Sequence, residues 1–277
     1  MKAAPLRKHA EAASFTLLEI LVAVTLFVLI ILFATQIISS TSRTTLGNIR
    51  RLDAAAQARQ TLDIFGLDWN ARVSRPDVAV RILKQPGNDE ISFLSQMPAP
   101  AHARQVTVVG YRVNAATPEA RDNYRLERAA LGFDWAGGNA IPLPLAAVPT
   151  LAEADYQPLT PGVFRFEACV LVPASKGAAP VLVANPSPNP VTTTTNLTAV
   201  LVAVAAIDSP SRLQIDPTRL KALVDALPDP TDASPDPCSL WQAALDRPGL
   251  AESLGIPATA AQSVRIAERY FYVNFAP

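Results

Sequence analysis

The stretch that decides the fold is FTLLEILVAVTLFVLIILFATQII, residues 15–38. It contains one ionisable side chain, Glu19, and neither proline nor glycine. A helix of this length rises about 36 Å, which exceeds the roughly 30 Å hydrocarbon core of a bilayer. Because a helix satisfies its own backbone hydrogen bonds, it is the open-chain structure that can cross lipid. We therefore predict a transmembrane helix over residues 15–38.

The residues before this segment form a short basic leader, residues 1–14. It carries Lys2, Arg7 and Lys8 against a single acid, Glu11. Because positive charge flanking a membrane segment favours the cytoplasmic side, we expect the leader in the cytoplasm. The remainder of the chain is then expected on the opposite side of the membrane.

Three interpretations of the apolar segment compete. A cleaved secretory signal has an apolar run of about 7–15 residues, which this segment exceeds. A plain membrane anchor leaves Glu19 unexplained, since a carboxylate within a membrane span costs a few kcal/mol and usually marks function. The third interpretation gives Glu19 a cationic partner. Cleavage after Ser14 would free the amine of Phe15, four residues before Glu19.

The motif SFTLLE, residues 14–19, followed by an apolar helix, resembles the class III signal of type IV prepilins and type II secretion pseudopilins. The resemblance implies that prepilin peptidase cuts between Ser14 and Phe15 and N-methylates Phe15. It also implies that Glu19 pairs with the terminal amine of a neighbouring subunit when a filament assembles. The family almost always has glycine where this chain has Ser14, and this departure bears on the efficiency of cleavage.

Residues 39–75 are predicted to continue the helix as an amphipathic segment. Apolar side chains recur there at three- or four-residue steps, the period of one helical face. They are Leu46, Ile49, Leu52, Ala56, Leu62, Phe65 and Trp69. We expect this face to pack against a sheet.

Residues 76–277 are predicted to form a β-rich domain with proline-rich loops. Of 25 prolines, 24 lie in this region. Segments rich in β-branched and aromatic residues alternate with turn formers, as strands do. The predicted strands are residues 78–83, 91–94, 105–113, 124–130, 163–172, 196–207 and 264–275. Two helices are predicted, one that begins at Asp216 and Pro217 and runs through Leu227, and one over residues 239–245.

The predicted fold class is therefore α+β, a long N-terminal membrane-spanning helix packed on a mostly antiparallel sheet. This layout is similar to that of larger minor pseudopilins, so that the predicted fold is pilin-like. The order resembles the J-type group over about half of the soluble region, through VGYRV and YRLER. It is more loosely similar to the pilin-like cassette proteins of Verrucomicrobia.

Composition and motifs argue against catalysis and nucleic-acid binding. The 24 basic and 24 acidic residues give a net charge of zero, whereas a phosphate-backbone binder needs a basic excess. The two histidines are His9, in the leader, and His102, in a predicted loop. The sequence contains no G-x-S-x-G, H-E-x-x-H, P-loop or G-x-G-x-x-G motif. We expect no enzyme activity, no cofactor and no nucleic-acid partner.

Two further groups were candidate sites. Asp229, Asp232 and Asp236 lie within PDPTDASPDP, where carboxylates could bind Ca²⁺, but a solvated acidic turn is the preferred interpretation and no metal is predicted. Cys169 and Cys238 are the only cysteines. They are expected in an oxidising compartment, where either a disulfide or two free thiols is compatible with the sequence.

Together with the resemblance, these features predict a single-pass inner-membrane protein with a periplasmic domain. Its expected partners are prepilin peptidase and other pilins or pseudopilins in a filament. The alternative is a membrane-anchored periplasmic binding or adhesion domain that does not enter a filament.

Overall fold

The structure is a computed structural model that describes residues 16–75, 78–97, 106–114, 123–134, 148–174, 178–187 and 197–273, with the side chain of residue 43 excepted. The chain divides into two compact units, one up to Gly47 and one from Asn48 onward. The first helix, α1, runs from Leu17 to Asn70. Its most apolar 18-residue window has a mean hydropathy of 3.0 and is not buried. In length and composition, α1 is therefore long and apolar enough to cross a membrane.

Only the later turns of α1 contribute to the core of the second unit. Ala54, Ala58, Leu62, Phe65 and Trp69 are buried. The predicted face is thus correct at Leu62, Phe65 and Trp69. It is wrong for the residues before them, because Leu46, Ile49 and Leu52 are 56%, 56% and 70% exposed and Ala56 is also exposed. A helical period identifies an apolar stripe but not the turns that have a sheet to pack on.

The first sheet is an antiparallel meander of five strands in chain order. They are β1 Val80–Leu83, β2 Glu90–Ser95, β3 Val106–Val113, β4 Leu126–Phe133 and β5 Tyr156–Thr160. Four of the five overlap predicted strands. The missed strand, β5, contains Pro158, and an edge strand tolerates a proline that a central strand does not.

The second sheet is also antiparallel and has the order β7-β6-β8-β9. Its strands are β6 Val163–Val172, β7 Val181–Val183, β8 Ala199–Ala206 and β9 Arg265–Tyr272. Every residue of β8 is buried, and β8 lies within the strand predicted at residues 196–207.

Five helices lie between β8 and β9. They are α2 Ser209–Gln214, α3 Pro217–Ala226, α4 Pro237–Leu245, α5 Leu250–Ser253 and α6 Ala258–Ala261. The predicted α3 begins as expected, with Asp216 accepting a hydrogen bond from the backbone of Arg219. The four-residue helices α5 and α6 are too short to leave a periodic signal in the sequence.

An aromatic cluster joins α1 to both sheets. The ring of Phe65 lies 5.0 Å from that of Tyr111 in β3 and 4.7 Å from that of Phe271 in β9, measured between centroids. The indole Nε1 of Trp69 donates a hydrogen bond to the Tyr272 carbonyl at 3.1 Å. One cluster of buried apolar side chains therefore includes residues of α1 and of both sheets.

The two sheets are also joined along an edge of β6. Asp89 donates its backbone N–H to the carbonyl of Phe166 at 3.0 Å. In return, the backbone N–H of Phe166 donates to the Asn88 side chain at 2.7 Å, and that of Ala168 to the Asp89 carboxylate at 2.8 Å. Side chains of the loop between β1 and β2 thus satisfy backbone groups that would otherwise pair with another strand.

Candidate functional site

Glu19 lies in the first turn of α1 and forms a reciprocal cap with Thr16. Its Oε2 accepts hydrogen bonds from the backbone N and the Oγ1 of Thr16, at 2.9 and 3.0 Å. The backbone N–H of Glu19 donates to Thr16 Oγ1 at 3.2 Å. This is a capping box, and the local T-x-x-E pattern is its sequence signature. The predicted processing residues Ser14 and Phe15 lie outside the described residues.

The cap uses only one oxygen of the Glu19 carboxylate. Among the described residues, no group donates a hydrogen bond to Oε1. Glu19 also borders a shallow apolar depression formed with Ile20, Ala23, Val24 and Phe27. The small side chain of Ala23 lowers the helix surface there, one turn from the carboxylate. The first turns of α1 therefore present an open acceptor beside an apolar surface.

Comparison with known proteins identifies no relative of this chain. No family model, no curated protein and no solved structure matches the chain. The account of the architecture, an apolar N-terminal helix and antiparallel sheets, therefore rests on the structure of this chain alone.

A buried cluster of charges joins the loop before β2 to strand β6. Lys84 Nζ contacts the carboxylate of Asp89 and lies 2.8 Å from Glu167 Oε2. The side chains of Lys84, Asp89 and Glu167 are 10%, 0% and 1% exposed. Arg165, also fully buried, lies 3.0 Å from Glu167 Oε1. The cluster therefore holds two cations against two carboxylates in the interior of the second unit.

Burial and mutual charge set the protonation of this cluster. Burial and the neighbouring Asp89 raise the pKa of Glu167 well above its ordinary value, against the opposing effect of Lys84 and Arg165. Burial lowers the pKa of Lys84, but the charges of Asp89 and Glu167 outweigh it and raise the pKa above its ordinary value. Lys84 is thus held as a cation. The cluster cross-links β6 and the loop through its ion pairs.

Side chains alternate along a strand, so that Arg165 and Glu167 lie on the opposite side of β6 from Phe166 and Ala168. The structure buries both sides of the strand, since Arg165 and Glu167 are also inaccessible. The Arg165 guanidinium lies 5.4 Å from the Trp241 ring centroid and donates to the Leu227 carbonyl at 3.1 Å. Helix α4 and the loop before it therefore cover the face that carries these charges.

Each acid of the 229–236 loop has a different structural partner. Asp229 pairs with Arg165 and accepts the backbone N–H of Gly87 at 3.0 Å. Asp232 accepts the backbone N–H groups of residues 184 and 185, both at 3.0 Å. Asp236 caps α4 through the backbone N–H of Cys238 at 3.0 Å. Within the described ranges, no group of three or more His, Cys, Asp or Glu side chains is placed to hold a metal ion.

The cysteines are both free thiols in the structure, so the disulfide that the sequence left open is not formed there. Cys169 lies on β6 opposite Leu201 and is buried, and burial raises the pKa of its thiol to about 12. Cys238 is partly buried in α4, where burial and the neighbouring Glu268 raise its pKa. Neither has the depressed pKa of a reactive thiol. His102 lies outside the described residues.

Proposed function

We propose that this chain is a minor pilin or pseudopilin subunit of a type II secretion or type IV pilus-like filament. In this proposal prepilin peptidase processes it and N-methylates Phe15. The mature chain is anchored in the inner membrane by α1, with its second unit in the periplasm. The observation that carries the proposal is the carboxylate of Glu19 in the first turn of α1, where it is the single charged side chain of the exposed residues 17–38.

The exposed surface of α1 supports an assembly role. A polar group in a membrane segment is costly unless a partner satisfies it, and small residues allow helices to approach closely. Glu19 supplies the polar group and Ala23 the small residue on the same depression. Other copies of such a helix would cover this surface and bring a terminal amine to Glu19.

The capping box offers a competing role for Glu19, because a cap needs a hydrogen-bond acceptor but not a charge. Glutamine serves at this position as well as glutamate does. Pairing with an amine, by contrast, depends on the negative charge. The proposed function assigns Oε2 to the cap and Oε1, which accepts no described hydrogen bond, to the neighbouring subunit.

Glu19→Gln separates the two roles. We expect this variant to insert into the membrane normally but to lose co-purification with partner pilins, as Glu19→Ala also should. Thr16→Ala is the matched control, since it weakens the cap and leaves the charge in place, and it should still co-purify. Normal co-purification of Glu19→Gln would show that Glu19 acts only as a cap.

The mature N-terminus tests processing independently of assembly. Mass spectrometry should find N-methyl-Phe15 as the first residue. An intact Met1 would instead indicate a plain anchor, and a start beyond Ser39 a cleaved secretory signal. Either result would overturn the filament proposal.

The second candidate is a membrane-anchored periplasmic binding or adhesion domain that stays outside any filament. It is favoured by a concave, arginine-lined pocket of about 670 Å³ on the second unit. Normal membrane insertion without co-purifying pilins, in the unaltered chain, would support this candidate.

A further inference from the structure

A concave site of the described second unit lies where α1 meets the segment between α4 and β9. Its volume is about 670 Å³, within the 300–1,000 Å³ range of small-ligand pockets. The walls come from α1, from helices α4, α5 and α6, and from the first residues of β9. Gly249 and Gly255, with φ of +76° and +62°, form the turns on either side of α5. Helices, the start of one strand and the turns between them therefore form the walls of this pocket.

Three arginines line the pocket from three directions. Arg51 extends from α1, Arg247 from the turn after α4, and Arg265 from the start of β9. Among the described residues, none of the three forms a salt bridge with a carboxylate. The pocket lining also includes Asp246 and Glu252, which leaves it with a formal charge of +1.

Arg265 is fixed in place and shares the pocket with another cation. Its Nη1 donates to the carbonyls of Gln262 and Val264, at 3.1 and 2.5 Å. Its remaining nitrogens have no hydrogen-bond partner among the described residues. Partial burial and the positive charge of Arg51 lower the pKa of Arg265 below its ordinary value. An anion between the two guanidinium groups would relieve this repulsion.

We propose that this pocket binds a phosphate group through Arg51 and Arg265, with Arg247 at its rim. Guanidinium groups bind phosphate with paired, charge-assisted hydrogen bonds. A phosphate directs its oxygens in three dimensions, so it suits donors that approach from different elements, whereas the oxygens of a carboxylate lie in one plane. The ligand is a soluble phosphate compound or the headgroup of an anionic phospholipid, and these share the chemistry that the pocket recognises.

Calorimetric titration of the full chain in uncharged detergent with pyrophosphate tests the proposal. Arg51→Gln is the informative variant, because Arg51 is exposed and its side chain forms no hydrogen bond with a described residue. We expect it to weaken pyrophosphate binding about tenfold, the effect of losing a charge-assisted interaction. Arg59→Gln, at an exposed arginine of the same helix outside the pocket, should change the affinity by less than about twofold.

Two outcomes would overturn the proposal. The first is equal affinity of Arg51→Gln and the unaltered chain for pyrophosphate. The second is tighter binding of citrate, a carboxylate ligand, than of pyrophosphate.

The source of the phosphate is tested by adding a soluble short-chain phosphatidylglycerol, or glycerol phosphate, to the same titration. Displacement of pyrophosphate by the lipid at a lower concentration than glycerol phosphate requires identifies a lipid headgroup as the ligand, and displacement by glycerol phosphate at an equal or lower concentration identifies a soluble phosphate compound. The assay is independent of filament assembly.

Discussion

Replacing Lys84 by methionine should destabilise the second unit strongly. Methionine keeps much of the length of the lysine side chain but removes the cation that touches Asp89 and Glu167. Both carboxylates are almost inaccessible, so water cannot take its place. Removing one partner of a buried ion pair typically costs about 3–5 kcal/mol. Because Glu167 can take up a proton, we expect the lower part of this range, about 3 kcal/mol, at pH 7.

The loss should depend on pH with a definite sign. Without Lys84, which opposes the effect of burial, the pKa of Glu167 rises further in the folded state. The folded variant then binds more protons than its unfolded chain above about pH 4.5, the ordinary value for Glu167. Stability of the variant therefore falls as pH rises through this window. We expect the difference from the unaltered chain to be small near pH 4.5 and largest at pH 7 and above.

Urea unfolding of the full chain in uncharged detergent, followed by the fluorescence of the buried Trp69 and Trp241, measures this difference. Lys221→Met is the matched control, since Lys221 pairs with Asp225 on the exposed surface of α3. It should change the free energy of unfolding by less than about 0.5 kcal/mol. A loss below about 1 kcal/mol for Lys84→Met at pH 7, or a loss that does not vary with pH, would refute the reasoning.

Two further predictions concern the core and the thiols. Phe65→Ala should lower the free energy of unfolding by about 3–5 kcal/mol, because a fully buried ring that contacts α1 and both sheets leaves a cavity. Leu52→Ala, 70% exposed, should change the same quantity by less than about 0.5 kcal/mol in the same urea assay, and equal losses would contradict the assignment of the core face. Alkylation and intact-mass measurement should find two free thiols after unfolding, with Cys169 unreactive in the folded chain because it is buried and its pKa is raised. A chain that is two hydrogen atoms lighter and gains no alkyl group after unfolding would instead show a Cys169–Cys238 disulfide.

Local patterns in the sequence predicted much of the secondary structure. The strand at residues 163–172 has the predicted bounds, because it is a run rich in β-branched and aromatic residues that ends at Pro173. The short strand β7, with three residues, leaves no comparable pattern. The exposure of Leu52 also escaped prediction, since the position of the first sheet along α1 depends on the whole fold.

The candidate sites also differ in whether a local sequence pattern could predict them. The Thr16–Glu19 cap involves residues three positions apart and is written in the sequence as T-x-x-E. Lys84 and Glu167 are 83 positions apart, and no local pattern connects them. Their partnership follows from the pairing of a loop with the edge of β6, which only the tertiary structure shows. Arg51 and Arg265 are likewise far apart in the sequence, and only the tertiary structure brings them to one pocket.

The contact between Trp69 and β9 has a consequence for biosynthesis. The hydrogen bond from its indole to Tyr272 joins residues 203 positions apart. At a synthesis rate of about 5–20 residues per second, the partner strand emerges roughly 10–40 s after Trp69 does. During this interval Phe65 and Trp69 lack the cover that Phe271 and β9 provide. A chain that stalls before β9 is made therefore leaves this part of the core exposed.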